Sequence, residues 1–190
     1  MQIISGSLKG RKISLLTSQK NNEHMRPTTS FTKGVLFNLL NNNKIVEKEI
    51  AGAKVLDCFC GTGAVGFEFA SRGAEVVYFV DSDEINIAQI HKNALELGLN
   101  YNARVGFFPK CKIKEQFDII FIDPPYIAAQ SQVLKTILGL VEFSIAENGM
   151  LIIEIEKTHT NLVSRIGEIV NIILNYEVSD KTLLLFCRKK

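Results

Sequence analysis

From residue 53 onward the chain alternates apolar, β-branched runs with helical stretches, and this alternation constrains the fold more than any other feature. Lys54–Phe59 reads as a strand, followed by a glycine-rich turn and a helix through about Ser71. A strand over Glu75–Asp81 and a helix over Glu84–Leu97, closed by Gly98, follow. Strands are expected at Ala103–Phe107 and Phe117–Ile122, then a helix at Gln130–Val141, a strand at Gly149–Glu156 and a helix at His159–Gly167. Ile169–Tyr176 and Thr182–Arg188 read as the last strands. Strands joined through helices pair in parallel and carry helices on both faces. The final two are separated only by Glu177–Lys181, a connection too short for a crossover, so they pair antiparallel. The fold class is therefore α/β: a Rossmann-like, mostly parallel seven-stranded sheet ending in an antiparallel hairpin.

The first forty residues stand apart in charge. They carry six basic residues against the single acid Glu23, a net +5. The whole chain is +2, so the remaining 150 residues sum to −3. A basic leading segment on a mildly acidic body fits a polyanion contact near the amino terminus, or else a solvated arm. Gln2–Ser5 and Arg11–Leu16 can pair as a hairpin across a turn holding Gly6 and Gly10. Ser18–Met25 reads as a polar loop, and Arg26-Pro27-Thr28-Thr29-Ser30 as a helix start. Residues 1–43 are thus expected to form a basic extension and 44–190 one compact catalytic unit.

Two motifs carry chemistry. Asp57-Cys58-Phe59-Cys60-Gly61-Thr62-Gly63-Ala64-Val65-Gly66 places G-x-G-x-x-G between a strand and a helix, the context of a nucleotide-binding turn. Asp81, with Ser82 beside it, ends the second strand where an acid can accept hydrogen bonds from ribose hydroxyls. A dinucleotide dehydrogenase needs a substrate-binding region that nothing in the chain supplies. S-adenosylmethionine fits better, because Asp57 can contact or orient the ammonium of its amino-acid tail. The second motif, Asp123-Pro124-Pro125-Tyr126, follows the apolar run Phe117–Ile122. Two prolines end the strand and remove backbone donors. A stiff turn rich in acceptors remains, the Asp123 carboxylate and the Pro124 carbonyl, beside the flat face of Tyr126. It suits a nucleobase bearing an exocyclic amine, although alone it fits an ordinary turn equally well.

Composition narrows the setting. With 190 residues, 46% of them hydrophobic, the chain is expected to be one soluble domain with a sizeable core. No apolar stretch approaches the ~20 residues of a membrane span. The start, Met1-Gln2-Ile3-Ile4-Ser5-Gly6, lacks the pattern of a secretory signal. Cys58, Cys60, Cys111 and Cys187 are too few and scattered for a disulfide scaffold, so free thiols and a cytoplasmic setting are expected. Cys58-x-Cys60 is shorter than zinc spacing, and His24, His91 and His159 complete no ligand pair, so no metal is expected.

Asp57-x-Phe59-x-Gly61-x-Gly63 resembles the first motif of the class I methyltransferases. Three segments together resemble the bacterial 16S rRNA guanine-N2 methyltransferases: Gln2–Lys12 with its Gly10-Arg11-Lys12, Met25–Thr29 followed by Val35-Leu36-Phe37-Asn38, and Leu56–Gly66 with Ser71–Ala74 and Phe117–Tyr126. After the Arg-Pro-Thr-Thr segment the family continues with an acid and two basic residues; here Ser30-Phe31-Thr32-Lys33 keeps only Lys33 basic. The segment Gly106-Phe107-Phe108-Pro109-Lys110 lacks the polar residue expected near the adenine amine, leaving the Phe107 or Phe108 ring to pack there or in the core.

The resemblance implies a class I methyltransferase fold, S-adenosylmethionine held by Asp57, Phe59, Gly61, Gly63, Asp81 and Ser82, and a guanine in 16S rRNA of the small ribosomal subunit. Asp123, Pro124, Pro125 and Tyr126 form the expected catalytic set. Lys9, Arg11, Lys12, Arg26 and Lys33 are the expected RNA contacts. Three alternatives stay open: methylation of adenine N6, an RNA-binding module without turnover, and protein-glutamine methylation, whose tetrapeptide begins with Asn.

Overall fold

The computed structural model describes residues 1–15, 30–44, 49–125, 128–157, 160–179 and 182–189. A seven-stranded sheet runs through it in the order β3-β2-β1-β4-β5-β7-β6. The strands are β1 Lys54–Cys58, β2 Val76–Asp81, β3 Tyr101–Val105, β4 Phe117–Ile122, β5 Ile145–Glu156, β6 Val170–Glu177 and β7 Thr182–Lys189. The helices are α1 Ser30–Asn42, α2 Ala64–Ser71, α3 Glu84–Leu97, α4 Gln130–Phe143 and α5 Thr160–Ile169. β1 to β5 are parallel; β7 inserts antiparallel between β5 and β6. This is the expected sheet, and the short link between β6 and β7 explains its antiparallel end.

The central strands β1, β4, β5 and β7 are largely apolar on both faces because each face is covered. On one face Val55, Phe79, Phe121 and Ile152 pack against Ile3 and Ile13 of the leading hairpin, Leu36 and Leu40 of α1, Phe67 of α2 and Ile90 of α3. On the other, Leu56, Ile120, Ile153 and Leu185 meet Ile137 of α4 and Ile166 of α5. Each fully buried side chain of this size contributes roughly 1.5–3 kcal/mol. The amino-terminal hairpin therefore shares the core of the sheet rather than hanging from it.

Local chemistry sets the element ends. α3 is capped at its start by Asp83, whose Oδ1 accepts the Ile85 N–H at 2.8 Å, and at its end by Gly98 with φ of 66°. β3 lies two residues earlier than expected, because Tyr101 already pairs with Val77 and the pairing with β2 runs out at Asp81 and Val105. β5 starts at Ile145, not Gly149, since Ile145 already pairs with Phe117. The leading hairpin is held by an antiparallel bridge between Gln2 and Lys12, with the Ile3 N–H donating to the Arg11 carbonyl at 3.0 Å. Leu16 and the loop expected over Ser18–Met25 lie outside the described residues, as do Arg26–Thr29 ahead of α1. Among the described residues no helix is long and apolar enough to cross a membrane.

Candidate active site

β1 is the switch point of the sheet: β2 and β3 extend to one side of it, β4 and β5 to the other. Open α/β sheets bind ligands at the carboxyl ends of strands beside such a point. Both sequence motifs emerge there. Cys58 pairs with Ile122, so the glycine turn leaves β1 beside the tetrapeptide leaving β4, and the Asp123 N–H faces the Cys58 carbonyl at 3.5 Å.

Two carboxylates hold the glycine turn. Asp57 Oδ2 accepts the Gly66 N–H at 2.9 Å, and Asp81 Oδ2 accepts the Gly61 N–H at 2.8 Å. Asp81 Oδ1 takes the Asp83 N–H at 2.9 Å and the Asn86 amide at 3.3 Å. Burial pushes the Asp57 carboxyl well above the usual range; the Gly66 bond opposes this, and the charges of Asp123 and Asp81 add to it. Gly66 is required by packing, since a Cβ there would lie 2.2 Å from the Phe79 ring and 2.9 Å from Asp57 Oδ2. Gly61 differs: a Cβ there would meet no protein atom within 4 Å, although its φ is +50°. Its backbone faces open space, which lets a ligand approach the chain closely.

Phe59 has a φ of 57°, a left-handed conformation that a bulky side chain rarely adopts. Its half-buried ring meets Phe108 at a centroid distance of 5.1 Å, while Phe107 is 62% exposed. Of the two aromatic residues after β3, Phe108 therefore packs beside the turn and Phe107 faces outward. Ser82 is exposed at the end of β2. Asp123 and Pro124 are half-buried and Pro125 is exposed, its carbonyl accepting the Ala128 N–H at 2.8 Å. Tyr126 lies outside the described residues. Cys58 and Cys60 are buried, their thiols pushed up by burial first and the Asp57 charge second; burial takes Cys187 up to about 12. These thiols pack the core. Among the described residues no group of three or more His, Cys, Asp or Glu side chains is arranged to hold a metal ion.

A family model described as Conserved hypothetical protein 95 matches residues 1–178. Ribosomal RNA small subunit methyltransferase D of Buchnera aphidicola subsp. Acyrthosiphon pisum is 37% identical over 86% of this chain and 82% of its own length. The protein of the same name from Escherichia coli K12 is 31% identical over 82% of this chain and 75% of its own. The chain belongs to this family. The solved structure of Escherichia coli yhhF superposes with a TM-score of 0.78 at 26% identity, covering 100% of this chain and 98% of that one. A Pyrococcus abyssi tRNA (uracil-54, C5)-methyltransferase, solved with S-adenosyl-L-homocysteine, shares the fold at a TM-score of 0.63 and 19% identity, over 87% of this chain and 40% of its own.

The match to Conserved hypothetical protein 95 includes the leading hairpin, and the structure shows how that hairpin docks. Gly6, with φ of +84°, lies so close to the end of α2 that a Cβ would fall 1.9 Å from the Ser71 carbonyl oxygen. The Ser7 N–H donates to that oxygen at 2.7 Å, and the Leu8 N–H to Ser71 Oγ at 3.0 Å. Asn93 of α3 brackets Ser14, accepting its N–H at 3.2 Å and donating to its carbonyl at 3.1 Å. Lys9, Arg11 and Lys12 are exposed on this hairpin, with Arg11 also donating to the Glu96 carbonyl at 3.4 Å.

Lys33 is a correction. It was expected among the RNA contacts, yet it is fully buried, its Nζ 2.8 Å from Glu68 Oε1 and 3.2 Å from the Gln2 carbonyl. Glu68 also accepts the Ile4 N–H at 2.9 Å and pairs with Arg72, whose guanidinium lies 3.8 Å over the Phe37 ring. Lys33 therefore ties α1, the hairpin and α2 together, and a phosphate cannot reach it. Arg26 lies outside the described residues. The sequence pattern does not single out Glu68 or Asn93; an acid inside the apolar helix Ala64–Ser71 is the available signal for the first.

Proposed function

We propose that this chain methylates the exocyclic N2 of a guanine in the 16S rRNA of the small ribosomal subunit, in the cytoplasm, with S-adenosylmethionine as methyl donor. The observation that carries this reading is the convergence of two turns at the switch point, one with open space over Gly61 and the other presenting Asp123. Membership of a family that includes small subunit rRNA methyltransferases supports the reaction class and the RNA substrate.

The residues present fit the donor. Gly61 would admit it against the backbone, Gly63 would shape the turn from its place against the Phe67 and Phe79 rings, Phe59 would line it, Asp81 and Ser82 would meet its ribose, and Asp57 would stiffen the turn below its amino-acid tail. When bound it would supply a methyl group on a positively charged sulfur, which would keep the electron pair of the broken sulfur–carbon bond and leave as a neutral thioether. The rest is the task of the chain. The lone pair of a guanine amine is delocalised into the ring, which makes it a weak nucleophile. Asp123 and the Pro124 carbonyl accept its two N–H groups, aim the nitrogen and stabilise the positive charge it develops. As nitrogen gains its N–C bond it sheds one N–H proton to the carboxylate already accepting it. Tyr126 is assigned the stacking role for an extruded base.

Residues 1–43 form the RNA-contacting extension in this reading, with Lys9, Arg11, Lys12 and Arg26 meeting phosphates, and 44–190 form the catalytic unit. Asp123→Ala tests it. The variant should lose methylation of small subunits while its melting temperature and S-adenosylhomocysteine affinity stay near wild type. Turnover at the wild-type rate would refute the assigned role.

A further inference from the structure

Glu154 is a buried acid that this mechanism has not used. It stands on β5 inside an otherwise apolar run, and it is only 8% exposed. In the parallel register Phe121 pairs with Ile152 and Ile122 with Ile153, so the next pair across the two strands is Asp123 and Glu154. Neighbouring strands run about 4.8 Å apart, and residues paired across them share a face. The two carboxyls are therefore side by side at the carboxyl end of the sheet. Asp123 is half-buried. Glu154 is the more buried of the two, and its Oε2 has no hydrogen-bond partner among the described residues.

No described cation answers this second acid. From β7 the residues on its face are Leu184 and Phe186; from β4 they are Phe121 and Asp123. On β5 itself Glu156 stands two residues away, another acid. The one basic residue of α1, Lys33, is committed to Glu68. Two adjacent carboxyls in such surroundings do not both ionise, and the proton stays on the one further from water.

We propose that Glu154 is a positioning residue for Asp123: the pair carries one proton, held on Glu154, and one negative charge, held on Asp123 where the substrate amine arrives. This rests on the guanine-N2 reading above. Burial first and the Asp123 charge second push the Glu154 carboxyl up to about 9, in keeping with that arrangement. The consequence is directional. A neutral Glu154 fills the space behind Asp123 without competing for the amine, so the charged, stronger acceptor is the one at the cleft. The proton shed by the amine then goes to Asp123, the pair briefly holds two, and one passes to water. Once Glu154 ionises, two charges repel behind the cleft and Asp123 leaves its aim.

The test has two arms. Carbon-13 NMR of the ligand-free protein labelled at glutamate Cδ should show one carboxyl titrating near pH 9, absent from Glu154→Gln. A Glu154 signal titrating near the ordinary value of about 4.3 would overturn the proposal. In single-turnover methylation of small subunits, Glu154→Ala should lower the rate about 100-fold, the cost typical of a misplaced reacting group, without weakening S-adenosylhomocysteine binding. Glu154→Gln should recover much of that loss and lack the fall near pH 9 expected of the wild-type enzyme. A Gln variant no better than Ala, or one keeping the alkaline fall, would overturn the proposal. A wild-type protein that methylates no guanine would sink the functional reading instead, and the NMR arm would still decide where the proton sits.

Discussion

Replacing Lys33 by methionine removes a charge from the interior while leaving the bulk of the side chain. In the wild-type protein the Lys33 ammonium meets Glu68 Oε1 at 2.8 Å and the Gln2 carbonyl at 3.2 Å, with both ion-pair partners fully buried. The variant strands a carboxylate that keeps the Arg72 guanidinium and the Ile4 N–H. Removing one partner of a buried pair costs 3–5 kcal/mol, and the remaining Arg72 places this case at the lower end, about 3 kcal/mol. Urea unfolding reads it as a midpoint lowered by roughly 1–3 M, given a slope of 1–3 kcal/mol/M. RNA binding supplies the contrast. Lys12→Met, on the exposed hairpin, should reduce the salt slope of RNA binding by about one, while Lys33→Met leaves it unchanged. A Lys33→Met protein as stable as wild type but with a reduced salt slope would refute this reasoning.

Two further outcomes follow from the site. Gly66→Ala drives a methyl into the Phe79 ring and Asp57 Oδ2, so it should destabilise the fold by about 1–3 kcal/mol and weaken S-adenosylmethionine binding, as read by calorimetry. The Glu154 carboxyl is raised from 4.5 to about 9, so above pH 4.5 the folded state keeps a proton that the unfolded chain releases. Stability from this group is therefore full below pH 4.5 and declines as pH rises toward 9. Glu154→Gln should flatten that decline in denaturant titrations run at pH 6 and pH 8.5; a decline of unchanged slope would contradict it.

Much of this structure was legible in the sequence where local chemistry decides. α3 matches its expected range because Asp83 caps one end and Gly98 stops the other. β4 matches because Phe117–Ile122 is an apolar run cut by prolines. β5 is longer than the sequence pattern suggests because its first residue, Ile145, pairs with Phe117 across a register shift that spans the weakly apolar Ala146–Gly149. The site divides the same way. The glycine turn and tetrapeptide announce themselves as motifs, and parallel topology brings them together. Lys33 and Glu154 do not, since their burial depends on partners far along the chain. Glu68 is 35 residues from Lys33, and β7 packs beside Glu154 only after the chain has returned through β6. A lysine near a basic segment looks like a phosphate contact until the fold encloses it.

The central claim is the identity of the methylated atom. Small ribosomal subunits lacking the modification, incubated with the purified protein and S-adenosylmethionine carrying a labelled methyl group, can be digested to nucleosides and separated. Label should appear in N2-methylguanosine and be lost in the Asp123→Ala variant. Label in N6-methyladenosine, in ribosomal protein, or nowhere would contradict it.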